Sequence, residues 1–444
     1  MKITAGLTGT QGLRICLFIL LSYIFFFVNA CKQRIEVKNS AIPVAEFDPQ
    51  ESTFICWTPK FQEISLKLIQ EISKVDHVTL FYNQRNHLPE NLQKLFEQRE
   101  INLKNVTLVP FKLEKDNIWI RDYGPILMQD EEGQQEMVTF HYPHEENQEY
   151  NLFNEQYATK MRIPFMRSRL YSAGGGREIN GRGTIILIEG HEKYINPDLS
   201  LEEIENEYKQ QLNQKNVIWL KRGIPQDDLF DHGPVIDNIY GNGVHWHVDE
   251  FCRFADAQTI LLAQVDQADL SLDPFYQVVH ERLEESYQIL KNARDQDGKP
   301  FKIIRVPQAP IIFDQGQYNG QPIYYTPVTS YLNFVLTNNL VVIPAYYNPG
   351  EPDFIQLKDD QARKAFQEVF KSRKVVMINA TELNYSGGGL HCITMHKPEV
   401  KKRSKPRHKI NNALKRLKWT LSLSKGEHYI KTRLFQPSEC LVIR

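Results

Sequence analysis

From Ser52 onward the chain repeats one pattern: a short apolar, β-branched run, a stretch with apolar residues at helical spacing, then a second apolar run. The first instance is 53–57, 61–73 and 77–82; later ones pair 201–212 with 217–220, 275–293 with 301–306, and 361–371 with 375–379. Leu201, Ile204, Tyr208 and Leu212 recur every three or four residues, which puts one apolar stripe on a helix. Runs such as VVMIN and LVVIP, bounded by Lys, Asn or Pro, have the composition of strands. Four or five such units over roughly 350 residues predict an internally repeated α/β body. The pattern fits a doubly wound sheet and equally a propeller of ββαβ blades.

A different pattern opens the chain. Lys2 and Arg14 precede an unbroken apolar run, 15–28, followed by Asn29, Ala30 and Cys31. This predicts an export signal, residues 1–30, cut after Ala30. The run is short for a bilayer span, and a single-span anchor is the competing reading. Cys31 at the new N-terminus would suit acylation, as in a bacterial lipoprotein. Residues 31–51 read as a linker, 52–395 as the main α/β body and 396–444 as a basic extension.

The extension changes how the charge is read. The 444 residues carry a formal charge of −1. From His396 to the end there are 14 Lys/Arg against three acids, which leaves −12 on the preceding residues. Such a tail can be a solvated appendage or contact an anionic surface. No sequence-specific nucleic-acid partner is predicted. With 41% hydrophobic and 24% charged residues, a disordered, collagenous or multi-span membrane chain is excluded. Five cysteines beyond residue 30 are too few for a disulfide scaffold. Sequons at Asn105, Asn379 and Asn384 would matter only in a eukaryotic secretory pathway.

Four segments combine reactive side chains with permissive glycine. In Trp119-Ile120-Arg121-Asp122-Tyr123-Gly124, a carboxylate beside an aromatic ring could grip a cation, or Arg121 and Asp122 could be a plain surface pair. In His245-Trp246-His247-Val248-Asp249-Glu250, an extended strand would place His245, His247 and Asp249 on one face. That trio suits either a metal-dependent hydrolase or an acid/base histidine with a cation-holding aspartate. In Ser386-Gly387-Gly388-Gly389-Leu390-His391-Cys392, the glycines let backbone approach a ligand, and Cys392 beyond them is a candidate nucleophile or an inert buried thiol. Ala173-Gly174-Gly175-Gly176 carries no nucleophile and suits close backbone approach.

Taken in order, IWIRDYGP, GGGREINGRGT, INPDLS, VIWLKRGI, HVDEFCRF, SYLNFV and GGGLHCIT resemble the agmatine deiminase and Porphyromonas-type peptidyl-arginine deiminase family of the guanidine-modifying superfamily. The resemblance implies a five-bladed ββαβ propeller with pseudo-fivefold symmetry and an active site on its axis. It also implies hydrolysis of a guanidinium to a ureido group and ammonia, with no cofactor or metal. By position, Cys392 would be the nucleophile, Asp122 and Asp249 the carboxylates clamping the guanidinium, and His247 the general acid/base. Trp119, Arg121, Asn333 and Gly389 would bind the substrate, which is agmatine, arginine or a peptidyl-arginine. Two departures stand out. Ala173 replaces a glutamate that orients the histidine in agmatine deiminases, and Trp246 replaces a glycine, which would narrow the site. A propeller that binds without catalysis is the reading that the missing glutamate favours.

Overall fold

The computed structural model describes residues 41–113, 115–143 and 148–400. The export signal, Cys31 and the basic tail beyond Val400 lie outside the described residues.

Helices and strands form where the apolar pattern placed them. Strand Gln50–Cys56 leads through helix Gln62–Ser73 to strand Val78–Asn83, and the two strands pair in parallel from Thr53↔Val78 to Cys56↔Phe81. Leu201–Gln211 starts sharply because Ser200 and Glu203 form a reciprocal cap, Ser200 Oγ accepting from Glu203 N and Glu203 Oε2 from Ser200 N. Pro274–Asn292 starts behind Asp273, whose carboxylate accepts from Phe275 N at 2.8 Å. Helix Asp353–Val369 begins eight residues before the predicted start at 361. Its early buried face includes Lys358, paired with Asp269 at 2.5 Å, and Asp359, which accepts from Tyr331 Oη at 2.6 Å. Polar residues buried in ion pairs and hydrogen bonds break the apolar stripe that marks a helix.

Among the described residues there are six sheets, and five share one plan: a first strand antiparallel to a second, a helical crossover, and a third strand parallel to the second. The first strands are Ile126–Gln129, Arg177–Ile179, Cys252–Asp256, Val335–Leu336 and Thr394–Pro398. The last of these pairs back with Gln50–Cys56, Ile55 opposite Thr394, so one sheet is assembled from both ends of the domain. A sixth sheet joins Ile239–Gly241 to the hairpin of Asp314–Tyr318 and Gln321–Thr326. The fold is mixed α/β with short repeated sheets, and a single doubly wound sheet is not formed.

The segment read as a linker belongs to the domain from Ala41 onward. Ile42–Pro43 pairs with Ile126–Gln129, and Ala41, Ala45 and Gln50 are buried. At the other end the final strand continues to Pro398, three residues past the predicted boundary.

Candidate active site

Five segments reach the site from equivalent places, each just ahead of the first strand of one of the five alike sheets. They carry Asp122 before Ile126, Gly175 before Arg177, Asp249 before Cys252, Asn333 before Val335 and Cys392 before Thr394. Repetition of the sheet plan therefore brings residues up to 270 positions apart, Asp122 and Cys392, into one cluster.

Cys392 is 2% exposed. Its sulfur receives Asn333 Nδ2 at 3.2 Å and lies 3.8 Å from Glu250 Oε1 and 3.9 Å from Asp249 Oδ2. Asn333 also donates to Glu250 Oε1 at 2.8 Å and accepts from the His391 amide at 2.8 Å, so one buried amide fixes the acid and the turn that holds the thiol. Gly389 is where that turn needs a glycine: a Cβ there would collide with Asn333 Oδ1. Gly389 thus serves the fit to Asn333, and its neighbour Gly388 packs on Trp119 and the cysteine sulfur. Asn384, buried in the preceding helix, donates to the Gly388 carbonyl at 2.9 Å, which leaves its side chain no room for a glycan.

Asp122 Oδ1 accepts from the Gly175 amide at 3.0 Å and lies 3.8 Å from His247 Nδ1. Gly175 lies against three functional groups. A Cβ on it would sit 2.6 Å from His247 Nδ1, 3.0 Å from Asp249 Oδ1 and 3.1 Å from Asp122 Oδ1. Asp249 Oδ1 itself has no hydrogen-bond partner.

His247 does not lie on a strand. His245 and Trp246 both have φ of +72°, a left-handed conformation, so alternation along the segment fails. Asp227, fully buried, holds the resulting loop: its carboxylate accepts from the amides of Val244 and His247, each at 2.6 Å. Burial pushes the Asp227 carboxyl up to about 7 despite those donors. The left-handed turn sends the His245 ring onto Tyr194, at 4.1 Å between centroids, and onto Trp246. Among the described residues His245, His247 and Asp249 form no group of converging metal-ligating atoms, so the metal-hydrolase reading loses its ligand set. Asp249, Glu250 and Cys392 do converge, their donor atoms within 4.8 Å of one another. Trp246 does not narrow the site either. Its ring packs on Gly190 and Gly223, and its indole N–H bonds Asp228. His191, absent from the sequence reading, stands edge-on to His247 at 5.3 Å and bonds the His245 carbonyl through Nδ1 at 2.5 Å.

Arg121 is turned away from the cysteine. Its guanidinium pairs with Glu46 at 2.5 Å, while its amide donates to the Cys392 carbonyl at 3.1 Å. Glu46 also pairs with the buried Arg253 at 2.6 Å and with His391 Nε2 at 2.8 Å. The substrate-binding role expected of Arg121 is thus a backbone and charge-network role.

Electrostatics sets the chemistry. Burial, then Asp249, Glu250 and Asp122, hold the Cys392 thiol well above its usual range. Burial and Asp122 likewise raise Asp249, and burial with Asp249 raises Glu250. A cation placed among these groups would oppose the carboxylate repulsion that adds to burial in all three shifts.

Over residues 43–398 the sequence matches the family described as Porphyromonas-type peptidyl-arginine deiminase. The chain belongs to that family. Agmatine deiminase of Pseudomonas aeruginosa (strain LESB58) is 25% identical over 392 residues, covering 81% of this chain and 95% of that one. Agmatine deiminase of Pseudomonas putida (strain KT2440) is 25% identical over 393 residues, covering 81% and 96%. The solved agmatine deiminase of Enterococcus faecalis superposes with a TM-score of 0.66 at 21% identity, over 82% of this chain and 97% of that one, which establishes the same mixed α/β fold. The family match begins at 43, in keeping with the packed position of Ile42–Pro43.

Glu46, Asp227, His191 and His391 were not found from sequence. His391 was visible as a neighbour of Cys392, but its bond to Glu46 spans 345 positions, and no local motif announces such a contact.

Proposed function

We propose that this protein is a guanidine deiminase that works through Cys392. The observation that carries the reading is the buried thiol set among Asp122, Asp249 and Glu250, whose combined charge suits a planar cation. Asp122 and Asp249 accept the guanidinium N–H groups and hold its carbon before the sulfur. Guanidinium charge lowers the thiol pKa, so the thiolate forms as substrate arrives and its proton passes to His247. Sulfur bonds to carbon, His247 protonates the departing ammonia, and the same histidine then activates the water that cleaves the thiouronium to a ureido product and the free thiol. Trp119 lies against the substrate's apolar stem.

The five alike sheets, closed by the pairing of Thr394–Pro398 with Gln50–Cys56, support arrangement as a five-bladed propeller with the site on its axis. Without the signal's Lys2 and Arg14, residues 31–395 carry −14, a field that draws a cationic substrate. The apolar run 15–28 supports export with cleavage after Ala30, and the mass of the mature N-terminus would show the cut and any acyl group on Cys31. Contact of the basic tail with anionic lipid is tested by vesicle binding of the full chain against a chain ending at residue 400.

Agmatine, free arginine, and peptides with C-terminal or internal arginine form the substrate panel, read as ammonia and ureido product. Turnover of one class identifies the substrate; absence of turnover for all of them contradicts the reading.

A further inference from the structure

Behind the cysteine lies a row of three groups, of which the mechanism above uses only Asp249; the other two are the buried His391 and the partly buried Glu46. Asp249 Oδ2 is 2.6 Å from His391 Nδ1, and His391 Nε2 is 2.8 Å from Glu46 Oε1. His391 is 1% exposed and Asp249 is fully buried. Contacts this short between an imidazole nitrogen and a carboxylate oxygen need a proton in each gap. A neutral imidazole supplies only one N–H.

The surroundings decide where the other proton sits. Glu46 is held by Arg121 and Arg253, with His396 at 3.5 Å. Burial alone would raise its carboxyl, but Arg121, His391 and Arg253 outweigh burial and keep it well below the carboxylate range. Ionised Glu46 therefore takes the Nε2–H bond. His391 is discouraged from a positive charge by burial, Arg121 and Arg253. Burial raises Asp249, which also faces Asp122, Glu178, Glu250 and the Cys392 sulfur, offset in part by Arg253 and Arg121. His247 stands across Asp122 from it. Before substrate binds, the remaining proton belongs on Asp249, donated to bare Nδ1.

We propose that Glu46, His391 and Asp249 form a proton relay in which Asp249 passes its proton to His391 as a guanidinium docks. The Oδ2–H bond breaks and an Nδ1–H bond forms, with Nε2–H still on Glu46. Asp249 becomes the carboxylate that the cation requires, and its unpartnered Oδ1 accepts a guanidinium N–H. The imidazolium is then flanked by two carboxylates. On product release the proton returns, so no proton is exchanged with solvent. His391 and Glu46 act through Asp249 and are positioning residues. The inference rests on the guanidine reading of the site and adds how its charge is set.

The test counts protons on binding. Full-length Cys392→Ala is titrated calorimetrically with whichever guanidine the wild-type protein turns over best, in buffers of different ionisation enthalpy and from pH 6 to 8. If nothing in the substrate panel is turned over, the proposed function fails and the relay is not what failed. The relay predicts near-zero proton exchange and an affinity that does not change with pH. Glutamine at 391 can keep a hydrogen bond but cannot take a proton. In Cys392→Ala/His391→Gln the relay predicts release of about one proton and affinity rising up to about tenfold per pH unit. Cys392→Ala/Glu46→Gln removes the anion that holds the imidazolium and should behave the same way, which keeps the test available if one variant does not fold. Proton release by Cys392→Ala alone, or identical proton counts in every protein tested, overturns the relay.

Discussion

Gly175→Ala adds one methyl group where it touches the reacting machinery three times over. The new carbon would lie 2.6 Å from His247 Nδ1, whereas ordinary van der Waals contact starts at 3.4 Å. Asp249 Oδ1 and Asp122 Oδ1, at 3.0 and 3.1 Å, block the two other directions of relief. None of the three can yield freely. The amide of His247 is tied to Asp227, Asp249 to His391, and Asp122 to the Gly175 amide itself. A displacement of roughly 1 Å within a positioned catalytic group costs about a hundredfold in rate. Overpacking at a buried site costs about 1–3 kcal/mol of stability. Steady-state ammonia release should therefore fall about a hundredfold in kcat/KM, while circular dichroism shows a folded protein with a modestly lowered urea midpoint. A variant within about threefold of wild type, roughly 0.7 kcal/mol in barrier, would show that these groups do not carry the reaction as placed.

Asn333→Ala removes the donor to Glu250 and the side-chain acceptor for the His391 amide, and each buried group left unpaired costs about 1–3 kcal/mol. The urea midpoint should drop at unchanged slope; an unchanged midpoint would contradict that bonding. Burial pushes the Glu192 carboxyl up to about 8, although Tyr208 Oη donates to it at 3.0 Å. Its folded pKa lies above the unfolded value, so its contribution to stability is complete at pH 4 and is lost as pH rises through 8. Glu192→Gln should accordingly gain stability relative to wild type between pH 5 and 9, and a constant difference across that range would refute the assignment.

How much was readable from the chain depends on the distance over which each feature is written. Helix Gln62–Ser73 and strand Val78–Asn83 follow from local apolar spacing. Asp122, Asp249, Asn333 and Cys392 stood in motifs and do converge. Failures came from two physical causes. Alternation placed His245 beside His247, but two consecutive left-handed residues rotate the chain between them, and alternation presumes an extended backbone. The resemblance gives Arg121 a substrate role, but its guanidinium partner, Glu46, lies 75 positions away in a segment with no periodicity of its own. Five equivalent loop positions build the site, yet the strands that follow them share no repeated sequence: most of their residues are buried on both faces, so any short run that tolerates burial serves.

The most direct measurement compares wild-type protein with Cys392→Ala on the guanidine panel, quantifying ammonia and ureido product together. Covalent catalysis by the buried thiol predicts equal amounts of both from the wild type and none above background from the variant. Sustained turnover by Cys392→Ala, or ammonia without ureido product, would contradict it.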